Sequence, residues 1–155
     1  MQAALAHVPA TPSRDEPSRT DRMRAFVDAG WNALHEQGIS WIGFYLEDPG
    51  APDEERLVLG PSRNKPACSP IGMHGACGQA FLSGEVLIVQ DVRDLDENYV
   101  ACDPHDQSEL IIPVRNAAGK IDAVLDLDSF EISAFDADDA AWLQMLLAFV
   151  GDDDG

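Results

Sequence analysis

Three cysteines are the residues of this sequence that could do redox chemistry, and the last of them lies among carboxylates. Cys102 stands in the stretch YVACDPHDQSEL, where Asp103, Asp106 and Glu109 follow it within seven residues. Negative neighbours disfavour the thiolate, which is the form of cysteine that attacks an electrophile or binds a metal. The density of acidic side chains around Cys102 is therefore the feature that a functional interpretation must explain.

The cysteines allow three interpretations. Cys68, Cys77 and Cys102 could be small buried apolar residues. Together with His74 or His105 they could supply four zinc ligands, but their spacing lacks the C-x2-C pair that structural zinc sites favour. All three stand in polar segments rich in Gly and Pro rather than in apolar strand runs, which favours redox catalysis by thiols that must reach a substrate and each other.

A pair of aspartates is the second chemical signal. Asp126 and Asp128 alternate with Leu127 on a predicted strand, so both side chains point to one face of the sheet. On an open sheet surface they would simply be solvated, yet they follow the apolar run AVL at the end of the strand. This pattern favours carboxylates in a pocket, where they could hold an ammonium group by charge-assisted hydrogen bonds.

The elements that must position these residues alternate between helical and strand periodicity. We predict a first helix capped by Thr20 and ending near Gln37, a short helix at 77–82, a closing helix capped by Asp136, and strands at 40–47, 56–60, 85–91, 109–114 and 121–128. This order predicts an α+β fold, an antiparallel β-sheet with the helices packed on one face. Long loops, including an acidic one at 91–107, are where a site is expected.

Length and composition predict a single globular domain. The chain has 155 residues, of which 45% are hydrophobic and 25% charged. Residues 1–19 lack periodicity and are rich in Pro, Ala, Ser and Arg, so we expect a flexible extension there. Residues 20–150 are predicted to form the domain, and residues 151–155 an acidic tail.

The charge balance restricts the possible partners. With 28 acidic and 10 basic residues the net charge is −18, which repels phosphate backbones and anionic membrane surfaces. We therefore expect neither nucleic acid nor a membrane as a partner. The sequence has no run near the roughly 20 apolar residues of a membrane span and no secretory signal, so the cytoplasm is the expected location.

Five segments in register resemble one protein family. In chain order they are WIGFY (41–45), LVLGPSRNKPAC ending at Cys68, ACG around Cys77, ACDPHDQSE around Cys102 and VLDLDS (124–129). Through these segments the chain resembles the free methionine-(R)-sulfoxide reductases, which are small stand-alone GAF domains. The resemblance spans about residues 41–129 and implies a GAF-like fold.

The resemblance implies an enzyme that reduces the R-sulfoxide of free methionine by a sulfenic acid and disulfide mechanism. Cys102 takes the position of the nucleophile and Cys68 that of the usual resolving cysteine, while Cys77 matches a third cysteine that can also participate. The implied reductant is thioredoxin, recycled by NADPH through thioredoxin reductase. No bound metal, flavin or nucleotide is implied.

The resemblance also implies the residues of the substrate pocket. Glu109, Asp126 and Asp128 align with its acidic residues, and Trp41 and Tyr45 align with aromatic residues that close around the methyl-sulfinyl end. The departing oxygen must be protonated, and a carboxylic acid whose pKa is raised by burial and like-charged neighbours can supply that proton. Glu109 and Asp128 are both candidates for this role.

Two other functions remain open from the sequence. One is a GAF module that binds a small ligand without catalysis, although so acidic a pocket suits a nucleotide phosphate poorly. The other is a peroxide-sensing thiol protein, which would need the three cysteines but not VLDLDS. The oligomeric state is also open, and a homodimer is one of the states that the sequence allows.

Overall fold

The computed structural model describes residues 17–98 and 103–150. Most of the predicted extension (1–19), Cys102 and the predicted tail (151–155) lie outside these residues. The helices are α1 (Arg19–Leu34), α2 (Ala76–Ser83) and α3 (Ala137–Leu147), and the strands are β1 (Ile39–Glu47), β2 (Leu57–Arg63), β3 (Leu87–Val89), β4 (Ser108–Arg115) and β5 (Ile121–Ser129). No helix in this described part has the length and apolarity to cross a bilayer.

The strands form one antiparallel sheet in the order β2-β1-β5-β4-β3. The α+β class predicted from the sequence is confirmed. Alternate residues of the inner strands point to opposite faces of the sheet. Ile42 and Phe44 of β1 face the larger core, which α1 and α3 cover, whereas Trp41 and Tyr45 face a second cluster that includes α2.

The prediction that the helices pack on one face is correct for α1 and α3 and wrong for α2. The physical reason lies in β1, whose segment WIGFY is apolar on both faces, so each face of the sheet needs cover. The short α2 covers the second face with small buried side chains, among them Ala76, Cys77 and Ala80. Small residues allow a short helix to approach the sheet closely.

Helix α1 begins earlier than predicted because its cap is Ser18 and not Thr20. The hydroxyl of Ser18 accepts a hydrogen bond from the Asp21 amide at 3.1 Å, and the Asp21 carboxylate accepts one from the Ser18 amide at 3.2 Å. This reciprocal capping box needs an acidic residue three positions after the cap, and Thr20 has Met23 there. The predicted cap of α3, Asp136, is confirmed by the same arrangement with Asp139.

Gly43 lets the indole ring of Trp41 lie across the backbone of its own strand. A Cβ atom at position 43 would be 2.3 Å from Cη2 of Trp41 and 2.7 Å from Cβ of Ser62. Real Cβ atoms do not approach other atoms so closely, so only glycine fits unless the ring moves. Gly43 therefore fixes the position of Trp41 on the second face of the sheet.

We expect Gly43→Ala to destabilise the fold by about 1–3 kcal/mol, because the added methyl group must displace the Trp41 ring in a packed cluster. Chemical denaturation of the variant and the parent protein measures this loss. Gly50→Ala is the matched control, since its Cβ would lie 3.6 Å from the nearest atom, Oδ1 of Asp48. Equal stability of the two variants would show that the Trp41 ring repacks without cost.

Candidate active site

A pocket opens on the second face of the sheet, between the strands, α2 and a loop at residues 64–75, which we call the Cys68 loop. Its volume is about 680 Å³ including the open mouth. Six of the residues predicted for the site line this pocket, namely Trp41, Tyr45, Cys77, Glu109, Asp126 and Asp128. Cys68 lies in the loop that forms the pocket's edge, and Cys102 lies outside the described residues.

Three carboxylates are brought together by strand pairing. Glu109 on β4 lies directly opposite Asp128 on β5, and Asp126 follows on the same face of β5. All three side chains are buried, with at most 9% of each residue exposed. The three carboxyl groups are close enough to interact with one another, and each changes the pKa of its neighbours. We call this group the carboxylate triad.

One oxygen of the triad has no hydrogen-bond partner. Oδ1 of Asp126 is buried and accepts no hydrogen bond from the described residues. Leaving a buried polar atom unpaired costs about 1–3 kcal/mol, so such an atom in a native protein calls for an explanation. Because Asp126 lines the pocket, a ligand bound there could supply the missing hydrogen-bond donor.

Burial raises the pKa of each carboxyl group in the triad. The pKa values of Asp126 and Asp128 lie well above the usual range, first through burial and next through the negative charge of the neighbouring carboxylates. Burial also raises the pKa of Glu109, but the hydrogen bonds from Asp126 and Asp128 oppose that rise. Buried carboxylates this close together cannot all be ionised at once, so the triad holds protons at a pH where exposed carboxyl groups have lost theirs.

Trp41 and Tyr45 form an aromatic wall that also holds the Cys68 loop. The indole N–H of Trp41 donates a hydrogen bond to the carbonyl oxygen of Lys65 at 3.0 Å, and the hydroxyl of Tyr45 donates one to the carbonyl oxygen of Cys68 at 2.8 Å. Burial, and next the charge of Asp126, raises the pKa of Tyr45, so its hydroxyl remains a donor. The ring centroids of Trp41 and Tyr45 are 6.1 Å apart.

The two described cysteines differ in state and setting. Cys68 is disulfide-bonded, whereas Cys77 is a free thiol. Cys77 lies in α2, close to the start of the helix predicted at 77–82, but it is buried and not accessible as its polar sequence context suggested. Burial, followed by the charge of Asp126, raises the pKa of Cys77 well above its usual value. A buried thiol of this kind is a weak nucleophile.

Sequence reasoning missed Lys65, the one basic side chain among the described residues that line the pocket. Its ammonium group pairs with Asp103 and lies 5.2 Å from the centroid of the Phe130 ring. Asp103 also accepts from His105 at 2.9 Å. The scarcity of lysine was a usable signal, because this acidic chain contains only Lys65 and Lys120.

The carboxylates that follow Cys102 in the sequence are thus not all free negative charges. Asp103 is paired with Lys65, as described above. Asp106, whose carboxylate accepts from the hydroxyl of Ser40 at 3.0 Å, has its pKa raised by burial. Glu109 belongs to the triad. Of the three acidic residues that follow Cys102, Glu109 is thus the one that lies in the buried group at the floor of the pocket.

Comparisons with known proteins match this sequence and this fold. The family model described as GAF domain matches residues 16–152. The free methionine-R-sulfoxide reductase of Escherichia coli is 38% identical over 114 residues, which are 71% of this chain and 63% of that protein. The enzyme of the same name from Saccharomyces cerevisiae is 35% identical over 113 residues, which are 72% of this chain and 61% of that one.

A solved structure of an enzyme with this name is also similar to the fold of this chain. The crystal structure of the free methionine-R-sulfoxide reductase from Neisseria meningitidis, in complex with its substrate, superposes with a TM-score of 0.76 at 31% sequence identity. The superposition covers 88% of this chain and 77% of the other. Both the sequence and the fold are therefore similar to enzymes that act on a free amino acid sulfoxide.

We expect Asp126→Asn to raise the thermal midpoint at pH 7, and the gain to shrink toward pH 4. Because burial raises the pKa of Asp126 above its unfolded value of about 3.9, the folded state binds more protons above that pH, so its stability falls as pH rises. Asparagine removes this titration, and about 1 kcal/mol corresponds to about 2–4 °C. Calorimetry across this pH range measures the effect.

The matched control for this prediction is Asp138→Asn, which changes an exposed carboxylate in the first turn of α3. It should show no gain in the thermal midpoint at any pH. A lower midpoint for Asp126→Asn than for the parent at pH 7 would mean that the buried carboxylate is well compensated, contrary to the geometry described here.

Proposed function

The chain belongs to the GAF-domain family of free methionine-R-sulfoxide reductases, and from that membership we propose that it reduces free L-methionine-(R)-sulfoxide to methionine. The observation that carries the proposal is the buried carboxylate triad beside an aromatic wall, in which one oxygen of Asp126 has no hydrogen-bond partner among the described residues. The substrate offers a cation, a carboxylate and an apolar methyl-sulfinyl end. The pocket has a complementary group for each.

The ammonium group of the substrate binds the triad. Oδ1 of Asp126 accepts a hydrogen bond from one N–H of this ammonium group, and the partly ionised triad supplies the opposite charge. Hydrogen bonds between charged groups are about twice as strong as neutral ones. A methionine sulfoxide within a protein has an amide in place of this ammonium, so the triad selects the free amino acid.

Lys65 binds the carboxylate of the substrate. Its side chain lines the pocket, and its charge is shared with Asp103 at the pocket's edge, where 41% of the Lys65 side chain is exposed. The methyl-sulfinyl end then lies against Trp41 and Tyr45, whose polar atoms are already engaged by the Cys68 loop. This arrangement fixes both ends of the substrate.

The reaction begins when the thiol of Cys102 attacks the sulfur of the sulfoxide. Asp128 protonates the departing oxygen, a role supported by its raised pKa and by its position opposite Glu109. The oxygen passes to Cys102 as a sulfenic acid, and methionine leaves as the thioether. The net step converts a thiol and a sulfoxide to a sulfenic acid and a thioether, with no further reactant.

Cys68 resolves the sulfenic acid. Its thiol condenses with the sulfenic acid of Cys102, releasing water and forming a disulfide, which a dithiol protein of the thioredoxin class reduces by exchange. Two observations support Cys68 over Cys77 in this role. Cys68 is disulfide-bonded, and the thiol of Cys77 is free, buried and of raised pKa.

We expect turnover with free methionine-R-sulfoxide and none with the S epimer, a peptide-bound sulfoxide or peroxide. NADPH consumption with thioredoxin and thioredoxin reductase measures it. Cys102→Ser should abolish turnover, whereas Cys68→Ser should release about one equivalent of methionine and stop at the sulfenic acid. Cys77→Ser should still form a disulfide, seen by intact mass. Equal turnover with the peptide-bound sulfoxide would contradict selection by the triad.

We expect Lys65→Met to raise KM for the sulfoxide about tenfold with a smaller change in kcat, because a charge-assisted hydrogen bond to the substrate carboxylate is lost. Steady-state kinetics measures both constants. Lys120→Met is the matched control, since Lys120 is exposed and pairs with Glu47 at 3.7 Å, outside the pocket. An unchanged KM in Lys65→Met would exclude Lys65 as the carboxylate partner.

A further inference from the structure

Cys77 is a buried thiol for which the catalytic cycle has no use. Its Sγ atom, a carboxylate oxygen of Glu109 and a carboxylate oxygen of Asp126 all lie within 4.8 Å of one another. A tetrahedral zinc ion has bonds of about 2.0–2.3 Å, which place its ligand atoms about 3.3–3.8 Å apart. Small side-chain rotations would therefore bring these three atoms to coordination distance.

A second observation also indicates a positively charged ligand. Asp126, which is only 5% exposed, belongs to this three-residue cluster, and its Oδ1 atom has no hydrogen-bond partner among the described residues. The pocket has one basic side chain among its described lining residues, and that lysine is paired with Asp103. The negative charge at the floor of the pocket is thus left for a ligand to balance.

We propose that Cys77, Glu109 and Asp126 bind a single Zn²⁺ ion, which occupies the place of the substrate's ammonium group. One sulfur and two oxygen donors suit zinc better than Mg²⁺ or Ca²⁺, which prefer oxygen alone. The thiol proton of Cys77 is released when the Zn–S bond forms, and no electron transfer is involved.

Zinc at this position blocks the site. The ion and the ammonium group would both need Asp126, so they cannot bind together, and zinc acts as a competitive inhibitor. The competitive inhibition rests on the proposed function, whereas the binding of zinc does not. The donor set also differs from the cysteine and histidine set that the sequence suggested, because it uses one cysteine and two carboxylates.

The test uses the full chain in its oxidised form, in which Cys68 is disulfide-bonded and Cys77 is the free thiol. Co²⁺ serves as the spectroscopic probe, because a thiolate bound to cobalt gives a charge-transfer absorption in the near ultraviolet. Zn²⁺ is then titrated against a chromogenic chelator in excess Mg²⁺, which saturates weak carboxylate sites. The variants are Cys77→Ser and Asp126→Asn, with Asp138→Asn as the matched control.

The proposal predicts one equivalent of bound zinc and a thiolate–cobalt absorption in the parent protein and in Asp138→Asn. Cys77→Ser should lose the absorption and bind zinc at least about tenfold more weakly, and Asp126→Asn should also bind it at least about tenfold more weakly. Saturating methionine should weaken zinc binding in the parent. Near-ultraviolet circular dichroism confirms that each variant is folded.

Equal zinc affinity in the parent and in folded Cys77→Ser would overturn the proposal, since the ion would then be held by other carboxylates. A parent protein without the thiolate–cobalt absorption would overturn it as well. Zinc binding that methionine does not weaken, with the predicted absorption present, would reject only the competitive inhibition. None of these readouts requires reductase activity, so failure of the proposed function would be recognised separately in the turnover assay.

Discussion

The burial of three carboxylates on neighbouring strands is the constraint on which the rest of the site depends. Strand pairing places Glu109 opposite Asp128 and puts Asp126 on the same face, beneath a helix and a loop. Like charges so close together cannot all ionise, and burial adds to the penalty. Such a cluster can retain protons that exposed carboxyl groups would lose, and the functions proposed above rest on this property and on its affinity for a cation.

The architecture around this cluster serves to keep it in place. Both faces of β1 are buried, so the sheet needs a second layer, and the short α2 supplies it at the pocket floor. The aromatic residues of β1 do not only line the pocket. Their hydrogen bonds to the Cys68 loop connect the disulfide-bonded Cys68 to the aromatic wall of the pocket. Gly43 makes room for the ring of Trp41.

The strand alternation of VLDLDS was sufficient to predict that Asp126 and Asp128 share a face, and the apolar WIGFY segment was sufficient to predict a buried strand. The meeting of Glu109 with this pair required the register between β4 and β5, which local periodicity does not contain. The burial of Cys77 was missed although a helix was predicted at 77–82, because the packing of α2 on the second face of the sheet cannot be read from the local sequence. Lys65 was missed because its partner, Asp103, is distant in the sequence and is met only through tertiary packing.

The account depends most on the claim that the triad binds the ammonium group of a free amino acid through Asp126. Isothermal titration calorimetry tests this directly by measuring Kd for methionine and for its desamino analogue, which keeps the carboxylate and the thioether. The titrations use the parent protein and Asp126→Asn. We predict that the parent binds methionine at least about tenfold more tightly than the analogue and that Asp126→Asn binds the two equally. Equal binding of both ligands by the parent protein would contradict the account.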